Sequence, residues 1–208
     1  MLHTDNILIL APHTDDGELG CGASIAKYIL EKKKVTYAAF STCSQSLPKE
    51  MPADTLVKEC TAATKALGIG DTIFFDFTVR RLLFHRQEIL EELIRINNEL
   101  KPQTVFLPAK NDVHQDHQVV YAEGLRAFKN ANVLGYELPW NNFNFHPNYF
   151  EKISEENLAA KIYALKEYKS QASRKYMNPE FLRSLAVVRG LQANSDLAEA
   201  FEIYRLMS

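Results

Sequence analysis

The sequence predicts an α/β fold built on a mostly parallel sheet with helices on both faces. Three observations carry this. Short apolar runs such as Ile7-Leu8-Ile9-Leu10 alternate with stretches of helical periodicity along most of the 208 residues. The leading strand-like run is continuously apolar, as expected of a strand buried on both sides. Polar loops rich in His and Asp follow two of the strands directly, which puts them at the carboxyl edge of the sheet, where such folds collect their ligands.

Each element follows in turn. After Ile7–Leu10 and the loop His13–Glu18, Leu19, Ala23, Ala26, Ile29 and Leu30 mark one face of a helix. It ends at the Glu31–Lys34 cluster, whose lysines suit the negative end of the helix dipole. Val35–Phe40 is the second strand, and Ser41–Ala53, with Pro48 and Pro52, is a loop. Leu56, Cys60, Ala63 and Leu67 recur at helical spacing, with Gly68 placed to cap them. Ile73-Phe74-Phe75 is the third strand, Gln87–Leu100 a helix stopped by Pro102, and Thr104–Pro108 the fourth strand. A second polar loop, Ala109–His117, leads into a helix starting near Gln118. Asn132–Leu138 is the fifth strand. Trp140–Phe150, aromatic and rich in asparagine, reads as a rim or substrate loop. Helices are expected at Glu155–Tyr168, with Ser154 as N-cap, and at Pro179–Gln192. No repeat, linker or low-complexity tract interrupts the pattern, so residues 1–208 are expected to form a single domain.

Composition narrows the function classes. Lysine and arginine total 24 against 26 acids, a net charge of -2, which offers no basic surplus for nucleic acid or an anionic membrane surface. Apolar residues at 46% and charged residues at 24% exclude wholesale disorder. Cys21, Cys43 and Cys60 lack CxxC spacing, which argues against a disulfide framework or a thiolate zinc site and suits a reducing cytoplasm. The apolar stretch near the N-terminus is too short for a signal segment and lacks a basic flank, and no run approaches the ~20 apolar residues of a membrane span. The expected partner is a small molecule, and a homo-oligomer is compatible with the sequence.

Two loops carry the chemistry. The first, Pro12-His13-Thr14-Asp15-Asp16-Gly17-Glu18, and the second, Asn111-Asp112-Val113-His114-Gln115-Asp116-His117, hold half of the six histidines. Taken singly, Asp15-Asp16 reads as a helix cap and His114–His117 as surface residues at a helix entry. Together, on corresponding strand ends, they read as a divalent metal site. His13, Asp16 and one histidine of the second loop make a set of two imidazoles and a carboxylate that leaves room for water. Asp15 and the other histidine then stand free, as proton acceptor and, if cationic, as oxyanion stabiliser. Mixed nitrogen and oxygen donors favour zinc, with another divalent ion as the alternative. The remaining histidines, His3, His85 and His146, read as surface residues, His146 being also a candidate for substrate contact. A competing motif is Glu18-Leu19-Gly20-Cys21-Gly22-Ala23, similar to the glycine-rich loop of S-adenosylmethionine-dependent methyltransferases. Eight residues, Ala11 to Glu18, separate Leu10 from Leu19, so its glycines fit better in the first turns of a helix.

On the motifs PHTDDGELGCGASIAKY, residues 12–28, and His114-Gln115-Asp116-His117, the chain resembles the LmbE/PIG-L family of zinc-dependent N-acetylglucosaminyl deacetylases. Fainter echoes run through Glu59, Leu67-Gly68, Tyr136-Glu137, Lys169-Ser170-Gln171 and Ala198–Phe201. The resemblance implies a Rossmann-like three-layer sandwich, the LmbE-like fold. It implies that His13, Asp16 and His117 ligate zinc, that Asp15 is the general base, and that His114 stabilises the oxyanion or protonates the leaving amine. Asp116 would orient and charge His114. The substrate would be an N-acetylated amino sugar, with substrate-binding residues unassigned. Thr14 replaces the family's usual proline, Gly17 stands where many members have glutamate, and Leu56 takes the place of a common arginine. A non-catalytic metal-containing sugar-binding protein on the same fold is the alternative of another class.

Overall fold

The computed structural model describes residues 4–207. His3 lies outside the described residues. The elements are β1 (Asn6–Ala11), α1 (Asp16–Leu30), β2 (Lys34–Ala39), α2 (Thr55–Leu67), β3 (Asp71–Phe74), α3 (Arg86–Leu100), β4 (Thr104–Pro108), α4 (Gln115–Ala127), β5 (Asn132–Tyr136), β6 (Tyr149–Lys152), α5 (Glu155–Leu165), α6 (Pro179–Gln192) and β7 (Ala198–Arg205). They form one seven-stranded sheet in the order β3-β2-β1-β4-β5-β7-β6. The strands from β3 to β5 pair in parallel, and β7 and β6 close the far side antiparallel.

The continuous apolar run of β1 divides between two cores, because successive side chains of a strand face opposite ways. Ile7, Ile9 and Ala11 join Leu19 and Ile25 of α1, Leu56 and Cys60 of α2 and Ala164 and Leu165 of α5 on one face. Leu8 and Leu10 join Ile89 and Leu93 of α3 and Val119 and Val120 of α4 on the other. The result is the expected three-layer, Rossmann-like sandwich. Chain order reverses between β1 and β4, and the helices that follow these two strands pack on opposite faces. That is a topological switch point, and the segments leaving β1 and β4 diverge around a crevice there.

Gly68 ends α2 at φ +87, a left-handed conformation that glycine adopts without a Cβ penalty. Gly20 and Gly22 lie inside α1 rather than in a loop. A Cβ on Gly20 would fall 2.3 Å from the Tyr136 ring, so this glycine serves close helix–sheet packing, not a cofactor loop.

Several boundaries differ from the sequence reading. Helix α4 begins at Gln115, which draws the second histidine motif into its cap and first turn, and α5 stops at Leu165. Leu30, assigned to the apolar face of α1, is 72% exposed at the helix end. Strands β6 and β7 were not expected. Their carboxylates are buried by specific partners, which masks the apolar signature. Glu199 of β7 accepts from the Ala23 and Ser24 amides at 3.2 and 2.7 Å, where α1 is broken at Cys21, and from Lys161 at 2.6 Å. Glu151 of β6 accepts from the Tyr28 and Tyr149 hydroxyls, each at 2.7 Å. Among the described residues no helix is long and apolar enough to cross a membrane.

Candidate metal centre

Both polar loops open on the crevice at the ends of β1 and β4. The first is anchored from beneath. Glu18 is fully buried in contact with the hydroxyls of Tyr37 and Tyr168, and those hydroxyls also donate to the Thr14 carbonyl at 2.9 and 2.6 Å. Burial pushes the Glu18 carboxyl up to about 8 in spite of these hydrogen bonds. Asp15 occupies the N-cap of α1 yet makes no side-chain cap bond. Its carboxylate lines the crevice instead, so a simple capping role does not account for it.

Above this floor three donor atoms meet. His13 Nδ1 lies 3.1 Å from Asp16 Oδ2, His117 Nε2 lies 3.2 Å from the same oxygen, and the two ring nitrogens are 3.2 Å apart. Donors bound to a tetrahedral ion at the usual zinc bond lengths stand roughly 3.3 Å apart, so this triangle fits one ion. The outer nitrogen of each ring is also held. His13 Nε2 meets Asp116 Oδ2 at 3.0 Å, and His117 Nδ1 meets Asp112 Oδ2 at 2.7 Å. A carboxylate behind each imidazole fixes its tautomer and turns its lone pair toward a metal.

His114 completes the group, with one nitrogen from each of His13, His114 and His117 within 4.8 Å of the others. It caps α4 by accepting from the Asp116 amide at Nδ1, 3.2 Å away, which leaves Nε2 to carry the proton. Here the structure departs from expectation. The Asp116 carboxylate was assigned to His114, but it turns to His13 and accepts from the Arg80 and Leu82 amides. Asp116 orients His114 only through its backbone N–H. Asp112 is a residue that sequence reasoning left without a role. Its signal was available, a carboxylate in the same short loop as the histidines, but its partner is decided by the turn into α4.

Electrostatics separate the groups. Burial opposes charge on His13, yet the Asp16 charge and the hydrogen bonds to Asp116 and Asp16 prevail and raise it to about 9. His117 behaves alike, burial being outweighed by Asp16 and Asp112, and rises to about 10. Asp16, although buried, is held well below the usual carboxylate range by His117 and His13. Asp15 moves the other way, pushed up to about 6 by burial and then by Asp16. Burial, then the neighbouring His117 and His13, lowers His114 to about 4. The oxyanion role read from the sequence was conditional on a charged imidazole; the downward shift favours the neutral form, which still offers Nε2–H as a donor.

The cleft above the centre has a volume of about 310 Å³. Leu56 and Val79 give it apolar lining, and Trp140, Arg80, Arg174 and Tyr176 line it as well. Trp140 stacks on Tyr176 with centroids 4.3 Å apart and planes at 16°. Of the aromatic segment 140–150, only Trp140 and Asn141 reach the cleft. Phe143 is 81% exposed, and His146 is exposed away from the lining. His85 is half-exposed and pairs with Glu88, as a surface residue would.

Residues 8–128, more than half of the chain and inclusive of both loops, match the family model described as PIG-L: GlcNAc-PI de-N-acetylase. The chain belongs to the PIG-L family. A relative of this PIG-L protein, "Uncharacterized deacetylase YaiS" from Escherichia coli strain K12, is 34% identical over 170 residues, 79% of this chain and 90% of its own. Among solved structures, the N,N'-diacetylchitobiose deacetylase from Pyrococcus horikoshii superposes with a TM-score of 0.81 at 19% identity, covering 97% of this PIG-L chain and 84% of its own. GalB, a 4-carboxy-2-hydroxymuconate hydratase from Pseudomonas putida KT2440, does so with a TM-score of 0.82 at 19% identity, covering 97% of each chain. At such identities these likenesses speak for the fold.

Proposed function

We propose that this protein is a metal-dependent hydrolase that removes the acetyl group from an N-acetylated amino sugar, its residues 1–208 acting as one domain. The observation that carries the proposal is the triangle of His13, Asp16 and His117, backed by Asp112 and Asp116, beside an Asp15 carboxylate left free of cap duty. Those three side chains would hold the ion. Zinc suits two imidazoles and a carboxylate, and another divalent ion is compatible. When bound, such an ion supplies Lewis acidity toward an amide carbonyl and acidifies water.

The chain's own residues do the rest. Asp15, raised to about 6, accepts the proton of the attacking water. His114, fixed by the Asp116 amide, presents Nε2–H to the carbonyl oxygen as that oxygen gains charge. The amide C–N bond then breaks, the water oxygen leaves in acetate, and the proton goes to the freed amine. The Trp140–Tyr176 pair offers an apolar platform for one face of a sugar ring.

Family membership supports this reading, as do the deacetylase names of the Escherichia coli and Pyrococcus relatives. The hydratase on the same fold makes product analysis the necessary test, because fold does not choose the reaction. Metal-reconstituted protein incubated with a panel of N-acetylated sugars is expected to release acetate and free amine in equal amounts. Absence of acetate from every member of the panel would overturn the proposal.

A further inference from the structure

Arg80 and Arg174 both line the cleft, and both are exposed. Among the described residues neither guanidinium lies within 4.0 Å of a carboxylate, whereas Arg86, Arg126 and Arg189 each pair with a buried glutamate. Arg80 is also built in. Its backbone takes the left-handed region at φ +65, which side chains other than glycine disfavour. That conformation is held because the Arg80 and Leu82 amides both donate to Asp116, the carboxylate behind His13. The position of Arg80 is therefore tied to the metal centre through one buried side chain.

Arg174 lines the same cleft, two residues before the Tyr176 ring that stacks on Trp140. Burial and the Asp15 charge push the Tyr176 hydroxyl up to about 12, and Arg174 opposes them, so its charge bears on the same space as that of Asp15. The cleft thus has an acidic floor, Asp15 and Asp16, and two unpaired guanidiniums in its wall. A neutral sugar gives those planar forks no ionic partner, whereas a phosphate or carboxylate can engage each of them by two hydrogen bonds.

From this juxtaposition we propose that Arg80 and Arg174 read an oxyanion on the substrate, so that the N-acylated amino sugar this protein takes is an anionic one. The inference rests on the deacetylase reading for the sugar and on the two arginines for the charge. Trp140 is the chain's single tryptophan and lies in the cleft, so its fluorescence reports binding independently of turnover. The titration uses metal-loaded Asp15→Asn protein with N-acetylglucosamine 1-phosphate, with N-acetylmuramic acid as the carboxylate arm, and with the neutral methyl glycoside of N-acetylglucosamine. At least one charged sugar is expected to bind about tenfold or more tightly than the neutral one, the scale of one charge-assisted hydrogen bond. Arg80→Gln and Arg174→Gln should each cut that ratio severalfold, and Arg174→Lys should restore part of it.

Equal dissociation constants for charged and neutral sugars, or a ratio unmoved by both glutamine variants, would overturn the inference. Acetate release by the wild-type enzyme, measured in parallel, separates the two readings. Release at equal kcat/KM from neutral and charged sugars, without selective binding, defeats the anion reading and leaves the deacetylase standing. Charge-selective binding without acetate from any sugar defeats the deacetylase and upholds the anion site.

Discussion

The loop after β1 and the loop after β4 converge on the same point but contribute different things. The first supplies His13 and Asp16 to the donor triangle and Asp15 to the free side of the cleft. The second supplies one donor, His117, the neutral donor His114, and both carboxylates that stand behind the imidazoles. Asp112 holds the histidine of its own loop, and Asp116 reaches across to hold that of the other. Both loops therefore provide reactive groups, but the division lies in their support: the carboxylates that orient the imidazoles of both loops come from the second alone. Such a division suits a switch point, where two segments that leave the sheet toward opposite faces can be locked only by contacts between them.

Substitutions in each loop should expose this division. The largest effect on turnover is expected from Asp15→Asn, a loss in kcat of about 10²–10⁴-fold with the metal retained, read by acetate release alongside elemental analysis. Loss of the metal there would mean that Asp15 is a ligand and that the first loop is not divided into donors and base. His114→Ala should follow, with kcat down by about 10²–10³-fold, the scale of one oxyanion donor, and with metal content unchanged. If it abolishes metal binding instead, the donor set consists of three histidines. Asp112→Asn and Asp116→Asn should each weaken metal affinity by roughly 10–100-fold without abolishing it, checked by competition with a chelator. An effect from Asp112 alone would show that the reach of Asp116 across the crevice contributes nothing. The smallest change belongs to the cleft wall. Trp140→Ala should raise KM by about three- to tenfold, the scale of one aromatic contact, and leave metal affinity where it was.

Much of this was legible in the sequence, for identifiable reasons. A doubly covered parallel sheet announces itself through runs such as Ile7–Leu10, because both faces of the strand must be apolar. The candidate ligands stand out because His13 and Asp16 follow β1 closely and His117 belongs to the polar segment that follows β4, where burial penalises such side chains unless something pairs them. The partner of Asp116 was not legible. Its direction depends on α4 starting at Gln115 and on the wall at Arg80 supplying two amides, neither of which sequence spacing fixes. Strand β7 escaped because Glu199 and Glu202 are buried beside partners brought in by the fold, so its pattern is not that of an apolar strand. Tyr176 and Arg174 reach the cleft from the turns between α5 and α6, far in sequence from either loop, and carry no local signal of it.

The central claim is that two loops share one ion, and metal stoichiometry tests it most directly. Protein reconstituted with zinc and freed of excess metal should carry about one ion per chain, as a single closed donor set requires. Asp16→Ala in the first loop and His117→Ala in the second should each, alone, bring that content close to zero while the protein stays folded. Full zinc content in either variant would show that the ion is not held between the loops.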